Sequence, residues 1–207
     1  MATTQGRRAV IFDMDGVLCR YDLKIRLAAL AGLSGRSPQD VEQLIWGSGF
    51  EEDADSGRYA DGAAYLKAFG ERLGHAISAA DWIAARRASM TPDPDVLELV
   101  GRLGRTCKVA LLSNNGPLAE ETFATLFPEA AALFGAATFF SWSFGVKKPS
   151  PEIYRETTRR LEVAPANAVF IDDKAHNVAG ARAAGLTAFR FSTMRQLVKD
   201  LAAAQVL

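Results

Sequence analysis

Two cysteines, two histidines and no net charge set the first limits on this 207-residue chain. Cys19 and Cys107 are too few and too scattered for a disulfide framework or a cysteine-ligated zinc site. A reducing compartment follows, and the cytoplasm is the default expectation. With 24 basic and 24 acidic side chains, the sequence lacks the basic surface that broad nucleic-acid binding needs. No apolar run approaches the length that spans a bilayer, so no membrane partner is expected. After Arg7 and Arg8 there is no long apolar core of a secretory leader. What is present is ordinary for a globular protein: 49% hydrophobic and 23% charged residues, enough for one well-buried domain and a small accessory one.

The run Ala9-Val10-Ile11-Phe12 reads as a buried strand, and it is followed by Asp13-Met14-Asp15-Gly16-Val17. Alternation along an extended chain would point Asp13 and Asp15 the same way. Two unit charges about 4 Å apart repel by roughly 4 kcal/mol at an effective dielectric of about 20. The pair therefore calls for a bound cation, a shared proton, or both. For this hexapeptide alone, an Asx turn closing the strand is an equal alternative.

Beyond that strand no comparable β-branched run occurs until after residue 91. Apolar residues recur at helical spacing over 23–33, 38–46, 60–73 and 79–90. Ser37 before Pro38, and Ser78 three residues before Asp81, read as helix starts. Alternation then resumes: helix 95–103, strand 108–112, helix 118–126, strand 138–140 and a helix capped by Ser150-Pro151-Glu152. A strand over 168–171, a helix over 175–184 stopped by Gly185, a strand over 187–191 and a helix from about residue 193 complete it. Such alternation predicts an α/β fold, a doubly wound parallel Rossmann-like sheet with a helical cap domain inserted after the first strand. The boundaries read as a core domain of residues 1–17 and 92–207 and a cap of residues 18–91. Ligands of open α/β sheets bind at the carboxyl ends of the strands. Every polar cluster falls at or just beyond such an end: Asp13/Asp15, Ser113/Asn114, Lys147/Lys148 and Asp172/Asp173.

Those clusters, in order, resemble the four motifs of the haloacid dehalogenase superfamily. They stand in Phe-Asp-Met-Asp-Gly-Val, Leu-Leu-Ser-Asn-Asn, Gly145-Val146-Lys147-Lys148-Pro149 and Phe-Ile-Asp-Asp with Asn177 after it, and cover essentially the whole chain. The position of the insertion resembles the superfamily's helical-cap subclass. The resemblance implies a magnesium-dependent phosphomonoester hydrolase acting on a small soluble metabolite, such as a sugar phosphate, through an aspartyl-phosphate. It makes Asp13 the nucleophile, Asp15 the general acid and base, and Lys148 the ammonium that steadies nucleophile and phosphate. Ser113 and the backbone N–H of Asn114 would hold the phosphate. Magnesium would take Asp13, the Asp15 carbonyl and Asp173, with Asp172 behind them, although those last two roles could be exchanged. Arg58, in a turn that resembles one facing the active site, is a candidate for a substrate's distal group.

The chemistry suits these residue types independently. A carboxylate can attack phosphorus and split one hard hydrolysis into two easier steps. Three aspartates facing a phosphate with about two negative charges need the balance that magnesium and a lysine return. Rival readings are a phosphosugar mutase resembling β-phosphoglucomutase, a dehalogenase, whose branch lacks the aspartate found here at Asp15, and a non-catalytic binding protein. Monomer and homodimer both stay open, as does the identity of the ester. His176 reads as a surface residue. Trp46, Phe50 and Tyr59 read as cap core, and Tyr21 and Asp22 as residues that could line the pocket.

Overall fold

The computed structural model describes residues 8–207, so the reading of residues 1–7 as free of a leader lies outside the described residues. In chain order the elements are β1 (Ala9–Phe12), β2 (Cys19–Tyr21), α1 (Leu23–Ser34), α2 (Pro38–Ile45), α3 (Phe50–Asp55), α4 (Gly62–Leu73), α5 (Ala79–Ala88), β3 (Met90–Pro92), α6 (Pro94–Leu103) and β4 (Lys108–Ser113). They continue as α7 (Pro117–Glu121), α8 (Phe123–Leu126), α9 (Pro128–Phe134), β5 (Thr138–Phe140), α10 (Pro151–Arg160), β6 (Ala168–Asp172), α11 (Ala175–Ala183), β7 (Thr187–Arg190) and α12 (Met194–Ala203).

Among the described residues, five strands form one parallel sheet in the order β5-β4-β1-β6-β7. β1 is apolar throughout because it lies at the centre, buried on both faces. Alternation divides its side chains between two cores. Val10 and Phe12 join Leu111, Val169 and Ile171 against α6, α9 and α12, through residues such as Leu99, Phe134 and Leu201. Ala9 and Ile11 join Leu112 and Phe170 against α10 and α11, through Ile153, Tyr154 and Val178. Both faces are covered, so the sheet is doubly wound as expected. Full burial of a side chain such as Phe12 contributes about 1.5–3 kcal/mol.

Helices α1–α5 stand between β2 and β3, outside the five-stranded sheet. β2 and β3 pair antiparallel, Cys19 with Pro92 and Tyr21 with Met90, and so bring the two ends of the insertion together. The sequence reading gave these residues to a loop and to the tail of a helix. Helix α5 in fact stops at Ala88, and Met90 already belongs to the ladder. The helix expected over 118–126 is two, α7 and α8, broken at Thr122, and α9 follows without having been anticipated.

The predicted starts of α2 and α5 hold: Ser37 and Ser78 each accept a backbone N–H three residues on, from Asp40 and Asp81, at 3.1 Å. Each such cap contributes about 1 kcal/mol. Ser150 occupies the N-cap position of α10, but its hydroxyl turns to Glu152 and caps no backbone N–H. The insertion docks on the sheet domain through polar contacts. Ser141 Oγ donates to the Asp55 carbonyl at 2.6 Å, and the Gly62 N–H donates to Glu121 Oε1 at 2.7 Å. No helix among the described residues is long and apolar enough to cross a membrane.

Candidate active site

β1, β4 and β6 end side by side, with Phe12 in register with Leu111 and Ile171. One residue beyond β1, the Asp13 N–H still donates to the Ile171 carbonyl at 2.9 Å, which fixes Asp13 beside Asp172 at the sheet edge. The strand ends at Phe12, so both aspartates of the first cluster lie in the following turn and strand alternation does not govern them. Gly16, at φ +86°, makes that turn possible. A Cβ there would also lie 2.7 Å from the Asp173 carboxylate, so the acidic loop after β6 can close on this turn only over glycine.

Lys148 crosses to this edge and is buried with its ammonium satisfied three times. Its Nζ lies 2.7 Å from Asp13 Oδ1, 2.8 Å from Asp172 Oδ2 and 3.0 Å from the Leu112 carbonyl. Burial pulls this ammonium's pKa down, but Asp13 and Asp172 outweigh it and the net direction is up. Burial raises the Asp13 carboxyl to about 7, against the downward pull of Lys148 and with Asp172 pushing the same way as burial. Among the described residues, the protein hydrogen bonds to Asp13 land on Oδ1, from Lys148 and from the Met14 N–H at 2.7 Å.

Asn114 holds Lys148 by its backbone: Asn114 Nδ2 donates to the Lys148 carbonyl and the Lys148 N–H donates to Asn114 Oδ1, both at 2.9 Å. Both ends of the Asn114 carboxamide are thereby engaged in holding Lys148. Ser113, buried at the end of β4, accepts from Asn115 Nδ2 at 2.9 Å. From the other side, Gly180 of α11 lets the helix press on the backbone of Pro149, where a Cβ would overlap the carbonyl oxygen.

The two acidic residues at the end of β6 differ. Asp172 is fully buried and saturated: besides Lys148 it accepts from the Lys174 N–H at 2.8 Å and from Asn177 Nδ2 at 3.0 Å to each oxygen. Asn177 thus orients the Asp172 carboxylate. Asp173 Oδ1 is buried without a hydrogen-bond partner among the described residues. Burial, and then the charge of Asp172, push the Asp173 carboxyl up. Asp13, Asp172 and Asp173 each offer an oxygen within 4.8 Å of the others. An all-oxygen set with one orphaned carboxylate oxygen fits a hard divalent cation.

Asp15 has a partner that sequence reasoning missed. Arg86, near the end of α5, places Nη2 2.5 Å from Asp15 Oδ2. The counter-charge demanded by the first cluster therefore arrives as two side chains, Lys148 for Asp13 and Arg86 for Asp15. A cavity of about 520 Å³ joins these residues to the insertion, with Asp15, Asn114 and Lys148 on one side and Tyr21, Trp46 and Arg86 on the other. Asp55 also lines it, its carboxyl raised to about 8 by burial and by the charge of Glu51. Lys147 also lines the cavity and pairs with Glu52 at 3.6 Å, and His176 lines it as well.

Three expectations for the insertion fall differently. Arg58 is not among the cavity's residues: its side chain is 63% exposed and pairs with Asp53 at 2.5 Å. Asp22 caps α1 at the surface. Phe50 is core, as expected, whereas Trp46 reaches the cavity with the Arg26 guanidinium 5.2 Å from its ring. A recess of similar size, about 550 Å³, opens where β4 begins, but no carboxylate lines it.

Comparison with known proteins agrees with this geometry. The family profile of haloacid dehalogenase-like hydrolases matches residues 7–185. A phosphatase of Mycobacterium tuberculosis is 27% identical over 208 aligned positions, spanning 93% of each chain. Among solved structures, a HAD family enzyme of Bacteroides thetaiotaomicron, in complex with magnesium and inorganic phosphate, superposes with a TM-score of 0.76 at 21% identity, over 93% of this chain and 99% of that one. The L-2-haloacid dehalogenase of Xanthobacter autotrophicus superposes with a TM-score of 0.63 at 22% identity, over 97% of this chain and 84% of that one. At those identities the structures speak for the fold alone. The profile match covers most of the sequence, and with it the chain belongs to the haloacid dehalogenase-like hydrolase family.

Proposed function

We propose that this chain is a magnesium-dependent phosphomonoester hydrolase acting on a small soluble metabolite of the sugar-phosphate kind. The observation that carries the reading is the buried Asp13–Lys148–Asp172 chain beside the orphaned oxygen of Asp173, next to a cavity of about 520 Å³ that Lys148 and Asp15 line. The phosphatase from Mycobacterium tuberculosis supports the reaction class, and the magnesium and phosphate bound by the Bacteroides enzyme support the cofactor.

Asp13, through its side chain, Asp15, through its carbonyl, and Asp173 would hold magnesium, with Asp172 behind them fixing Lys148. Bound there, the cation offsets the negative charge that carboxylates and phosphate bring together. The free oxygen of Asp13 attacks phosphorus as the ester P–O bond breaks, giving an aspartyl-phosphate. Asp15 passes its proton to the departing alkoxide, then takes one from the water that opens the acyl phosphate. The Ser113 hydroxyl and the Asn114 backbone N–H bind the transferred phosphoryl oxygens, and Lys148 keeps Asp13 oriented. On this reading residues 18–91 are a cap over a core of 1–17 and 92–207, and a capped cavity of this size favours small esters. The two unpaired cysteines accord with a cytoplasmic enzyme.

The test is release of phosphate from p-nitrophenyl phosphate with magnesium or with excess chelator, beside the Asp13→Ala variant. Hydrolysis that needs magnesium and vanishes in the variant is the expected result. Hydrolysis that survives either change would falsify the reading.

A further inference from the structure

Arg86 is a costly residue to place where it is. Its side chain is 2% exposed, and among the described residues its Nε and Nη1 have no hydrogen-bond partner and its one close polar contact is Asp15 Oδ2 at 2.5 Å. The guanidinium otherwise rests on the Tyr21 ring, 4.3 Å from its centroid. A buried charge with so few bonds is a poor structural element, since an apolar side chain of similar volume is often as stable or more so. A helix that needed only to pack here would do as well with methionine. The carboxylate it reaches faces the cavity and is 26% exposed.

The two partners also lie on opposite sides of the join between insertion and sheet. Asp15 precedes β2 by four positions and Arg86 precedes β3 by four, and β2 and β3 are paired. Contact between them therefore depends on how the insertion sits over the sheet edge.

We propose that Arg86 is a positioning residue for Asp15: it anchors Oδ2, leaves Oδ1 to carry the transferable proton, and stabilises the carboxylate formed when that proton leaves. The inference rests on the phosphomonoesterase reading above. Within it the step balances. As the Asp13 oxygen bonds to phosphorus, the ester P–O pair moves onto the leaving oxygen, which takes the proton from Asp15 Oδ1. The new charge on Asp15 then sits against a cation held in place before the reaction begins, and such preorganised charge is effective in a site closed to water. Among the described residues the hydrogen bond to Oδ1 comes from the Cys19 thiol, a weak donor at 3.7 Å, and the Asp15 side chain lines the cavity.

The experiment compares two esters in the magnesium-loaded enzyme. p-Nitrophenyl phosphate loses a stable anion and needs little help from an acid, whereas an alkyl phosphate, the best one of a panel beginning with glycerol 2-phosphate, must have its alkoxide protonated. Arg86→Ala is expected to lower kcat on the alkyl ester by about 10²-fold and on the aryl ester by less than about 5-fold, the difference reflecting what general acid catalysis supplies. Arg86→Lys should recover part of the alkyl activity. In a cycle with Asp15→Asn, the double variant should be no slower on the alkyl ester than Asp15→Asn alone, because both changes remove one function. Equal losses on both esters, or losses that multiply in the double variant, would overturn the proposal, as would an unchanged alkyl rate. If Arg86→Ala does not fold, Arg86→Lys and Arg86→Gln carry the same comparison with the same criteria. Wild-type protein inert toward every ester would overturn the hydrolase reading and this inference with it. Uniform losses in variants of an active wild type would overturn this inference alone.

Discussion

Replacing Lys148 with methionine tests the charge arrangement directly, because stability and chemistry both depend on it. The ammonium lies 2.7 Å from Asp13 and 2.8 Å from Asp172, in a site where all three side chains are almost wholly buried. At an effective dielectric of about 20, each contact is worth roughly 6 kcal/mol before solvation is considered. Desolvation of each ion takes back several kcal/mol, and removing one member of a buried pair costs about 3–5 kcal/mol net. For a chain of this length, that is a fall in Tm of roughly 10 °C. The pH dependence gives the sharper test. Without the ammonium that pulls it down, the Asp13 carboxyl, already raised by burial, lies further above its value in the unfolded chain. Stability from such groups is full below the unfolded value and is lost as pH rises through the folded one. The deficit of Lys148→Met should therefore be small near pH 5 and grow toward pH 9. Adding Asp13→Asn to Lys148→Met should recover part of the loss by removing one stranded charge. Urea unfolding across that pH range, in chelator so that no cation replaces the ammonium, measures this. A variant within about 1 kcal/mol of wild type at pH 8.5, or a deficit that grows toward acid, would refute the reasoning, since removal of a paired buried charge must cost more than that.

Three further outcomes follow from the same geometry. Gly180→Ala should destabilise by about 1–3 kcal/mol and lower kcat, because its Cβ would displace the Pro149 backbone that follows Lys148, whereas Gly32→Ala, with nothing within 4 Å of the added carbon, should stabilise by about 0.5–1 kcal/mol; thermal melts and turnover of the pair check both. Asn114→Ala removes both hydrogen bonds to the Lys148 backbone and should cost about 1–3 kcal/mol, with a fall in kcat larger than any change in KM. Magnesium binding must compete with the proton that Asp13 holds up to about pH 7, so titration calorimetry should show affinity falling by up to about tenfold per pH unit below that value and levelling above it; affinity flat between pH 5 and 8 would sink the assignment of Asp13 as a ligand.

The sheet was legible because its central strands are short apolar runs that end abruptly in polar residues. β1, β4 and β6 fall at the expected positions, and their ends bring Asp13, Ser113 and Asp172 to one edge. The starts of α2 and α5 were legible for a local reason, since a serine hydroxyl caps a backbone N–H three residues away. The β2–β3 ladder was not. Cys-Arg-Tyr and Met-Thr-Pro carry no alternation worth the name, and their pairing joins residues 69 to 73 positions apart. Helix α3, Phe-Glu-Glu-Asp-Ala-Asp, shows only Phe50 and Ala54 to the core, too little for a periodic signal over six residues. The break between α7 and α8 has no proline or glycine to announce it.

The site divides along the same line. Residues whose role depends on the strand they follow could be picked out by position, whereas those recruited from the insertion could not. Arg58 and Arg86 look alike as letters, each an arginine of the insertion. One lies beside Asp53 at the surface, and the other is driven into the interior, 71 positions from the carboxylate it meets. The signal that could have separated them is energetic. Two aspartates a residue apart need more positive charge than the single buried lysine of the third motif supplies, because that lysine is already shared with Asp172. A second cation was owed to Asp15, and the insertion was the one part of the chain placed to deliver it. The same reasoning makes the fit of insertion to sheet a condition of the chemistry: a substitution that shifts α5 relative to the β2–β3 ladder should cost alkyl-ester turnover even where it leaves the Asp13–Lys148 pair untouched.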